Sequence, residues 1–253
     1  MCNNIDSQAV AQAAHEIEHG KLLAEHDPEA AWGWATPAGQ LRAQRRAELI
    51  VEGAGLRAGM HVLEIGCGVG NFTERFARSG ARITAVDISP DLLDRARQRN
   101  LPTDQVRFVC KRFEDCEVDG PFDAVIGSSI LHHLDLPAAL AKIFRLLKPG
   151  GAMSFAEPNM LNPQVFAERK FRFMRKIFWY VSADETAFVR WQLAAELSKA
   201  GFDQVRITPF DWLHPAVPLR LIPLVSGAGR VLESLPVARE FAGSLRIRAR
   251  RPT

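Results

Sequence analysis

The feature that most restricts the fold is Glu64-Ile-Gly66-Cys-Gly68-Val-Gly70, a glycine run set between an apolar stretch and an amphipathic one. His61-Val-Leu-Glu-Ile65 reads as a short buried strand, and Phe72 and Phe76 recur at helical spacing behind the glycines, up to Gly80. In such a turn one glycine permits the tight bend, one lets a ligand approach the backbone, and one lets the helix pack close to the sheet. Asp87 stands 21 residues beyond Gly66, at the end of the next strand, Arg82-Ile-Thr-Ala-Val86. A carboxylate there can accept hydrogen bonds from both hydroxyls of a ribose.

The same tempo continues along the chain. Ser89-Pro90 is a helix cap followed by proline at the first helical position, and Thr36-Pro37 opens an earlier helix in the same way. That earlier helix carries Ala43, Ala47, Ile50 and Val51 on one face, and Gly53 is expected to end it. Val106 to Val109, Phe122 to Ile126 and Ala152 to Ala156 read as further strands, with a helix capped by Asp135 and stopped by Pro149-Gly150-Gly151. Ser182-Ala-Asp-Glu185 has the form of a capping box opening a helix through Val189, Leu193 and Leu197. Val205 to Thr208 and Leu245 to Ala249 complete seven strands, the last alternating apolar residues with Arg as an edge or half-exposed strand does. Strands alternating with helices predict a doubly wound α/β sheet. Residues 1–35 read as a loosely held helical extension, and the rest as one domain with insertions at about 161–183 and 210–243.

Two ligand classes suit the glycine run and Asp87, a dinucleotide or an adenosyl sulfonium. The dinucleotide pattern needs glycine at position 71, where this chain has Asn71. Glu64 puts a carboxylate directly before the loop, which suits a ligand carrying an ammonium and a sulfonium better than a pyrophosphate; bonding the loop's own amides is its alternative role. Together with Ala85-Val-Asp-Ile-Ser-Pro90, Phe122-Asp-Ala-Val-Ile-Gly-Ser-Ser-Ile-Leu-His-His-Leu134 and Leu147-Lys-Pro-Gly-Gly-Ala152, these motifs resemble the class I S-adenosylmethionine-dependent methyltransferases of the small-molecule type. The resemblance runs from about Thr36 to the end of the chain. It implies a Rossmann-like seven-stranded, mostly parallel sheet with an antiparallel last strand, and S-adenosylmethionine as cofactor. It also implies that Gly66, Cys67 and Gly68 meet the methionine part, Asp87 the ribose and Ile88 the adenine, with Ser128 and Ser129 on the methionine side. The family commonly has an acidic residue after the third strand to bond the adenine amino group; here Arg112 holds that place, and arginine cannot accept a hydrogen bond. Adenine recognition then falls to backbone around Phe113, or to Glu114 or Asp115. The competing readings are a nicotinamide-dependent oxidoreductase and a non-catalytic cofactor-binding or partner module.

Composition narrows the partners. A chain of 253 residues with 47% hydrophobic and 24% charged residues is globular, and a net charge of +3 is too weak for a dedicated nucleic-acid binder. Four cysteines without C-x-x-C spacing suggest neither a zinc ribbon nor disulfides, and a polar N-terminus without a membrane span suggests a cytoplasmic protein. His15 and His19 lie one helical turn apart without a third ligand, so no metal site is expected.

Methyl transfer chiefly needs alignment of acceptor, methyl and sulfur, with a general base where a hydroxyl must lose its proton. His132 and His133 follow the fourth strand, at the edge where open α/β sheets bind ligands, and either suits that role; capping and packing of the turn is the alternative. Glu157 at the end of the fifth strand reads as a loop anchor or a helper. Three additions are expected to choose the acceptor. They are residues 27–40 with Trp32 and Trp34, the aromatic and basic stretch from Leu161 to Val181, and the Pro/Leu/Val-rich stretch from Phe210 to Glu240. Residues 161–253 hold 15 Lys/Arg against 8 Asp/Glu, so the basic surplus gathers there. The expected acceptor is small and apolar or lipid-like, with an anionic group or presented at a membrane surface.

Overall fold

A computed structural model describes the backbone of residues 2–170 and 186–253, with side chains from Ala13 onward. The helical reading of Phe171, Phe173 and Phe178, the aromatic run Phe178-Trp179-Tyr180, and the capping box at Ser182 to Glu185 lie outside the described residues. Seven strands form one sheet, in the order β3-β2-β1-β4-β5-β7-β6. They are β1 (His61–Ile65), β2 (Arg82–Asp87), β3 (Val106–Cys110), β4 (Phe122–Ser128), β5 (Leu147–Pro158), β6 (Asp203–Phe210) and β7 (Ser244–Arg250). β1 to β5 pair in parallel, and β7 runs antiparallel to both β5 and β6.

Strand parity divides the core in two. Leu63 and Ile65 of β1 pack with Val125, Phe155, Leu140 and Ile143 on one face of the sheet. Val62 packs with Ile83, Ile126, Ile50 and Phe76 on the other. Successive side chains of a strand point to opposite faces, so one apolar strand feeds both layers. The first face carries α6 (Leu136–Leu146) and α8 (Arg190–Lys199); the second carries α3 (Pro37–Ala54), α4 (Asn71–Ala77) and α5 (Pro90–Arg97). The predicted caps form, with Thr36, Ser89 and Asp135 side chains accepting from Gly39, Leu92 and Ala138 N–H.

Two expectations change and one is narrowed. Gly53 does not end α3, which runs to Ala54 and is capped by Gly55 in the left-handed conformation. Gly53 is an interior glycine because any Cβ there would strike Ser154 and Arg248. Of the two readings of the last strand, edge or half-exposed, the second holds: β7 lies between β5 and β6, and β6 is the edge. The alternating arginines of β7 stand half-covered on one face, where Arg246 and Arg248 pair with Glu52 of α3. The helix through Leu193 and Leu197 begins only at Arg190, because Phe188 is bridged to Asn159 in extended conformation.

The N-terminal segment is a helix, α1 (Cys2–Glu25), and it is anchored. Gly20 lies so close to Ser89 that a Cβ would come within 2.5 Å of its hydroxyl, and Arg95 of α5 donates to the Ala24 carbonyl. A short helix α2 (Pro28–Ala31) follows, capped by Asp27. Within the two expected insertions lie α7 (Pro163–Lys170) and α9 (Ile222–Ser234). No helix among the described residues is long and apolar enough to cross a membrane.

Candidate active site

The carboxyl edge of β1, β2 and β4 opens into a cleft of about 290 Å³. Its walls include Gly66, Cys67, Gly68, Asp87, Ile88, Ser128, Ser129, His132 and His133, so the sheet brings nine of the expected residues to one place. The loop from Gly66 to Gly70 is tied down by Gly66 N–H and Cys67 N–H donating to the Val86 carbonyl. At Gly66 φ is +68°, and a Cβ would lie 2.5 Å from Ile130, so only glycine fits without displacing the neighbouring loop. Above Gly68, by contrast, the nearest atom to a Cβ is the Trp32 ring at 3.5 Å, leaving room over the backbone.

Asp87 braces this loop. Its Oδ2 accepts from Gly68 N–H at 2.7 Å and its Oδ1 from Ser89 N–H at 2.9 Å. Burial pushes its carboxyl up against the lowering effect of these two bonds. A carboxylate offers about four lone-pair sites, so two remain for a ligand.

Glu64 is the departure. Parity places it on the Val62 face of β1, beneath α4, and it is not part of the cleft wall. Its side chain is wholly buried, Oε2 lacks a hydrogen-bond partner, and burial drives its pKa up to about 8. At neutral pH it is therefore mostly protonated rather than the standing negative charge the motif suggested.

A smaller cavity of about 80 Å³ adjoins the cleft, lined by Ile88, Phe113, Arg112, Glu114 and Glu16 among others. Phe113 is buried beneath the ammonium of Lys142, which also takes the Phe113, Glu114 and Cys116 carbonyls at 2.7, 3.0 and 2.6 Å. The backbone carbonyl of Phe113 is thereby engaged. Arg112 turns to Asp115 at 2.8 Å, and Asp115 is exposed. Glu114 is the remaining acidic neighbour; its buried Oε2 accepts no hydrogen bond and lies 3.6 Å from Arg112 Nε.

The histidines separate by environment. His132 is buried, and its Nδ1 lies 2.6 Å from Glu157 Oε2. The other oxygen of Glu157 accepts from Ile130 and Leu131 N–H, both at 2.9 Å, which fixes the turn carrying His132. Burial alone would raise the Glu157 carboxyl; the bond and charge of His132 with the two N–H groups hold it below the usual range. Glu157 is thus both loop anchor and histidine partner. His133 instead meets Glu16 of α1, Nδ1 to Oε1, at 3.2 Å.

Sequence reasoning missed Arg46. It sits on the apolar stripe of α3, between Ala43 and Ala47, and is 3% exposed. Its guanidinium donates to Ser128, Ser129 and Ser244 hydroxyls at 2.8, 3.0 and 2.9 Å and to the Ala156 carbonyl at 2.8 Å. The hydroxyls of Ser128 and Ser129 therefore serve this arginine as well as lining the cleft. A charged residue at the buried phase of a helix was the available signal. Trp32 and Trp34 were expected near the site and do line it, as do Glu168 and Arg169 from the stretch expected to choose the acceptor; Glu16 and His19 were not expected. Among the described residues no group of His, Cys, Asp or Glu is arranged to hold a metal ion.

The family model for the methyltransferase domain matches residues 62–151. Those residues are a methyltransferase domain. The ubiquinone biosynthesis O-methyltransferase of Xanthomonas oryzae pv. oryzae is 40% identical over 114 residues, 44% of this chain and 47% of that protein. That of Xylella fastidiosa is 39% identical over 106 residues, 40% of this chain and 43% of that protein. The chain thus matches about half the length of these relatives. Among solved structures, the N-methyltransferase NodS of Bradyrhizobium japonicum, in complex with S-adenosylhomocysteine, aligns with a TM-score of 0.63 at 18% identity, covering 94% of this chain and 100% of that one. The Haloferax volcanii putative methyltransferase bound to its Trm112 activator gives 0.67 at 18% identity, covering 92% and 98%. At these identities the likeness is of fold, and it covers more than nine tenths of this chain.

Proposed function

We propose that the chain transfers a methyl group from S-adenosylmethionine to a hydroxyl of a small, lipid-like aromatic acceptor. The observation that carries this reading is the buried Glu157–His132 pair, whose His132 lines the same cleft as the glycine loop and Asp87.

The residues fit that cofactor. Among the described residues the cleft wall carries Glu16, Asp87 and Glu168 against Arg169 alone, a balance that suits a ligand with an ammonium and a sulfonium and repels two phosphates. This disfavours the nicotinamide alternative. Asp87 would hold the ribose, the glycine loop the methionine part, and Ile88 and Phe113 the adenine, with Glu114 Oε2 as acceptor for its amino group. The cofactor, when bound, supplies a methyl on a sulfonium, ready for displacement.

The chain supplies the proton chemistry. Glu157 accepts from Nδ1–H of His132, which leaves Nε2 as the basic nitrogen of the neutral ring. His132 would take the proton of the acceptor hydroxyl, and Glu157 would stabilise the imidazolium that results. His133 would pin α1 across the cleft rather than act as base. Relatives named for ubiquinone biosynthesis support oxygen as the methylated atom and a lipid-like acceptor.

Such an acceptor would be met at a membrane surface. Of the twelve large hydrophobic side chains exposed among the described residues, seven lie between Leu219 and Phe241, interspersed with Arg220, Arg230 and Arg239. Titration of adenosylhomocysteine and of NAD, followed by assay of a catechol acceptor with S-adenosylmethionine, tests the reading. Binding of NAD alone, or no methylated product at saturating cofactor, would refute it.

A further inference from the structure

A second cavity of about 240 Å³ opens beside the cleft, between α3, α7 and the start of the second insertion. It shares Trp32, Trp34, Ser129 and Pro158 with the cleft and has Arg46 and Trp212 in its own wall. It holds three guanidinium groups, of Arg42, Arg46 and Arg169. Two are balanced: Arg42 pairs with Asp211 at 2.8 Å and Arg169 with Glu168 at 3.5 Å. Arg46 is not. All four of its hydrogen bonds run to neutral oxygens, three hydroxyls and one carbonyl. Burial lowers its pKa only to about 10, so it stays charged at neutral pH. A buried charge without a direct ion-pair partner is costly. Four bonds also leave one of its five N–H groups over. The buried indole Nε1 of Trp212, in the same wall, donates to nothing.

We propose that this cavity binds the carboxylate of an aromatic acid, with Arg46 and the Trp212 N–H as its donors. The aromatic surface of Trp32, Trp34 and Trp212 flanks the ring, and the anion supplies the direct ion-pair partner that Arg46 lacks. A void of about 150 Å³ holds benzene, so about 240 Å³ suffices for a substituted ring. The assignment rests on the methyl-transfer reading in taking the occupant as the acceptor: the shared wall would let an acid seated here present a hydroxyl toward the cleft.

The test is calorimetric titration of the full chain, first with adenosylhomocysteine, then with benzoate and with its neutral isostere benzamide, each with and without adenosylhomocysteine. Benzoate should bind at least ~10-fold tighter than benzamide, the scale of a charge-assisted bond. Arg46→Met should abolish that preference. Because Arg46 also ties four segments together, Trp212→Phe provides a gentler variant, which should weaken benzoate several-fold and leave benzamide unchanged. Equal binding of benzoate and benzamide, or a preference that survives in folded Arg46→Met, would overturn the proposal. Catechol binding where benzoate does not would also overturn it, in favour of a neutral occupant. If adenosylhomocysteine binds and benzoate does not, the carboxylate site fails while the cofactor reading stands. If only benzoate binds, the reverse holds.

Discussion

The main-chain N–H of Gly68 donates to Oδ2 of Asp87 across 2.7 Å, so one carboxylate joins the glycine loop to the end of β2. With its other oxygen on Ser89 N–H, Asp87 serves the fold and the proposed ribose site together. Asp87→Ala should weaken adenosylhomocysteine ~10–150-fold, the range of lost charge-assisted bonds of about 1.5–3 kcal/mol. It should also lower the melting temperature by roughly 4–8 °C if about 2 kcal/mol of bracing is lost. Calorimetry and a thermal melt check the two effects separately. Unchanged ligand affinity beside a lowered melting temperature would leave Asp87 as a brace only.

The two histidines should behave differently. His132→Gln is expected to reduce turnover ~10²–10⁴-fold with little change in cofactor affinity, as removal of a general base does. His133→Gln should chiefly disturb the contact with Glu16 on α1, appearing in KM more than in kcat. Steady-state kinetics of both variants decide this, and near-normal kcat for His132→Gln would return the Glu157–His132 pair to a packing role.

Glu64 makes a prediction about pH. Its folded-state pKa of about 8 is raised above the ordinary carboxylate value by burial. Between about 4.5 and 8 the folded state therefore holds a proton that the unfolded state has released, and stability contributed by this group falls as pH rises, by up to ~1.4 kcal/mol per unit. Glu64→Gln should flatten that decline and raise stability at pH 8, as measured by denaturant titration at several pH values. A cation bound nearby would also favour the carboxylate, so cofactor binding at pH 7 should release protons. Titration in buffers of different ionisation enthalpy detects the release.

The apolar residues between Leu219 and Phe241 should bring the chain to vesicles. Sedimentation is expected to show binding to anionic rather than neutral lipid, weakening with salt because exposed charges are screened within ~10 Å at 0.1 M. Leu224→Ser with Val231→Ser, two side chains 70% and 60% exposed, should reduce it without lowering stability. Absence of binding at low salt would remove the membrane from the proposal.

The strand–glycine–helix turn, the caps at Thr36, Ser89 and Asp135, and the seven-strand tempo were legible because each depends on residues near in sequence. Cap chemistry and hydrophobic period are local, and a parallel α/β sheet follows from their alternation. The convergence of Gly68, Asp87, His132 and His133 was legible too, since every parallel strand delivers its following loop to the same edge. What tertiary structure alone decided is which partner each side chain meets. Glu157 and His132 are separated by 25 residues and joined at 2.6 Å; Arg46 reaches Ser244 across 198 residues. Strand parity turned Glu64 under α4, and strand order put β7 inside the sheet rather than at its edge. Those outcomes depend on burial and charge pairing among segments distant in the chain, which no local period encodes.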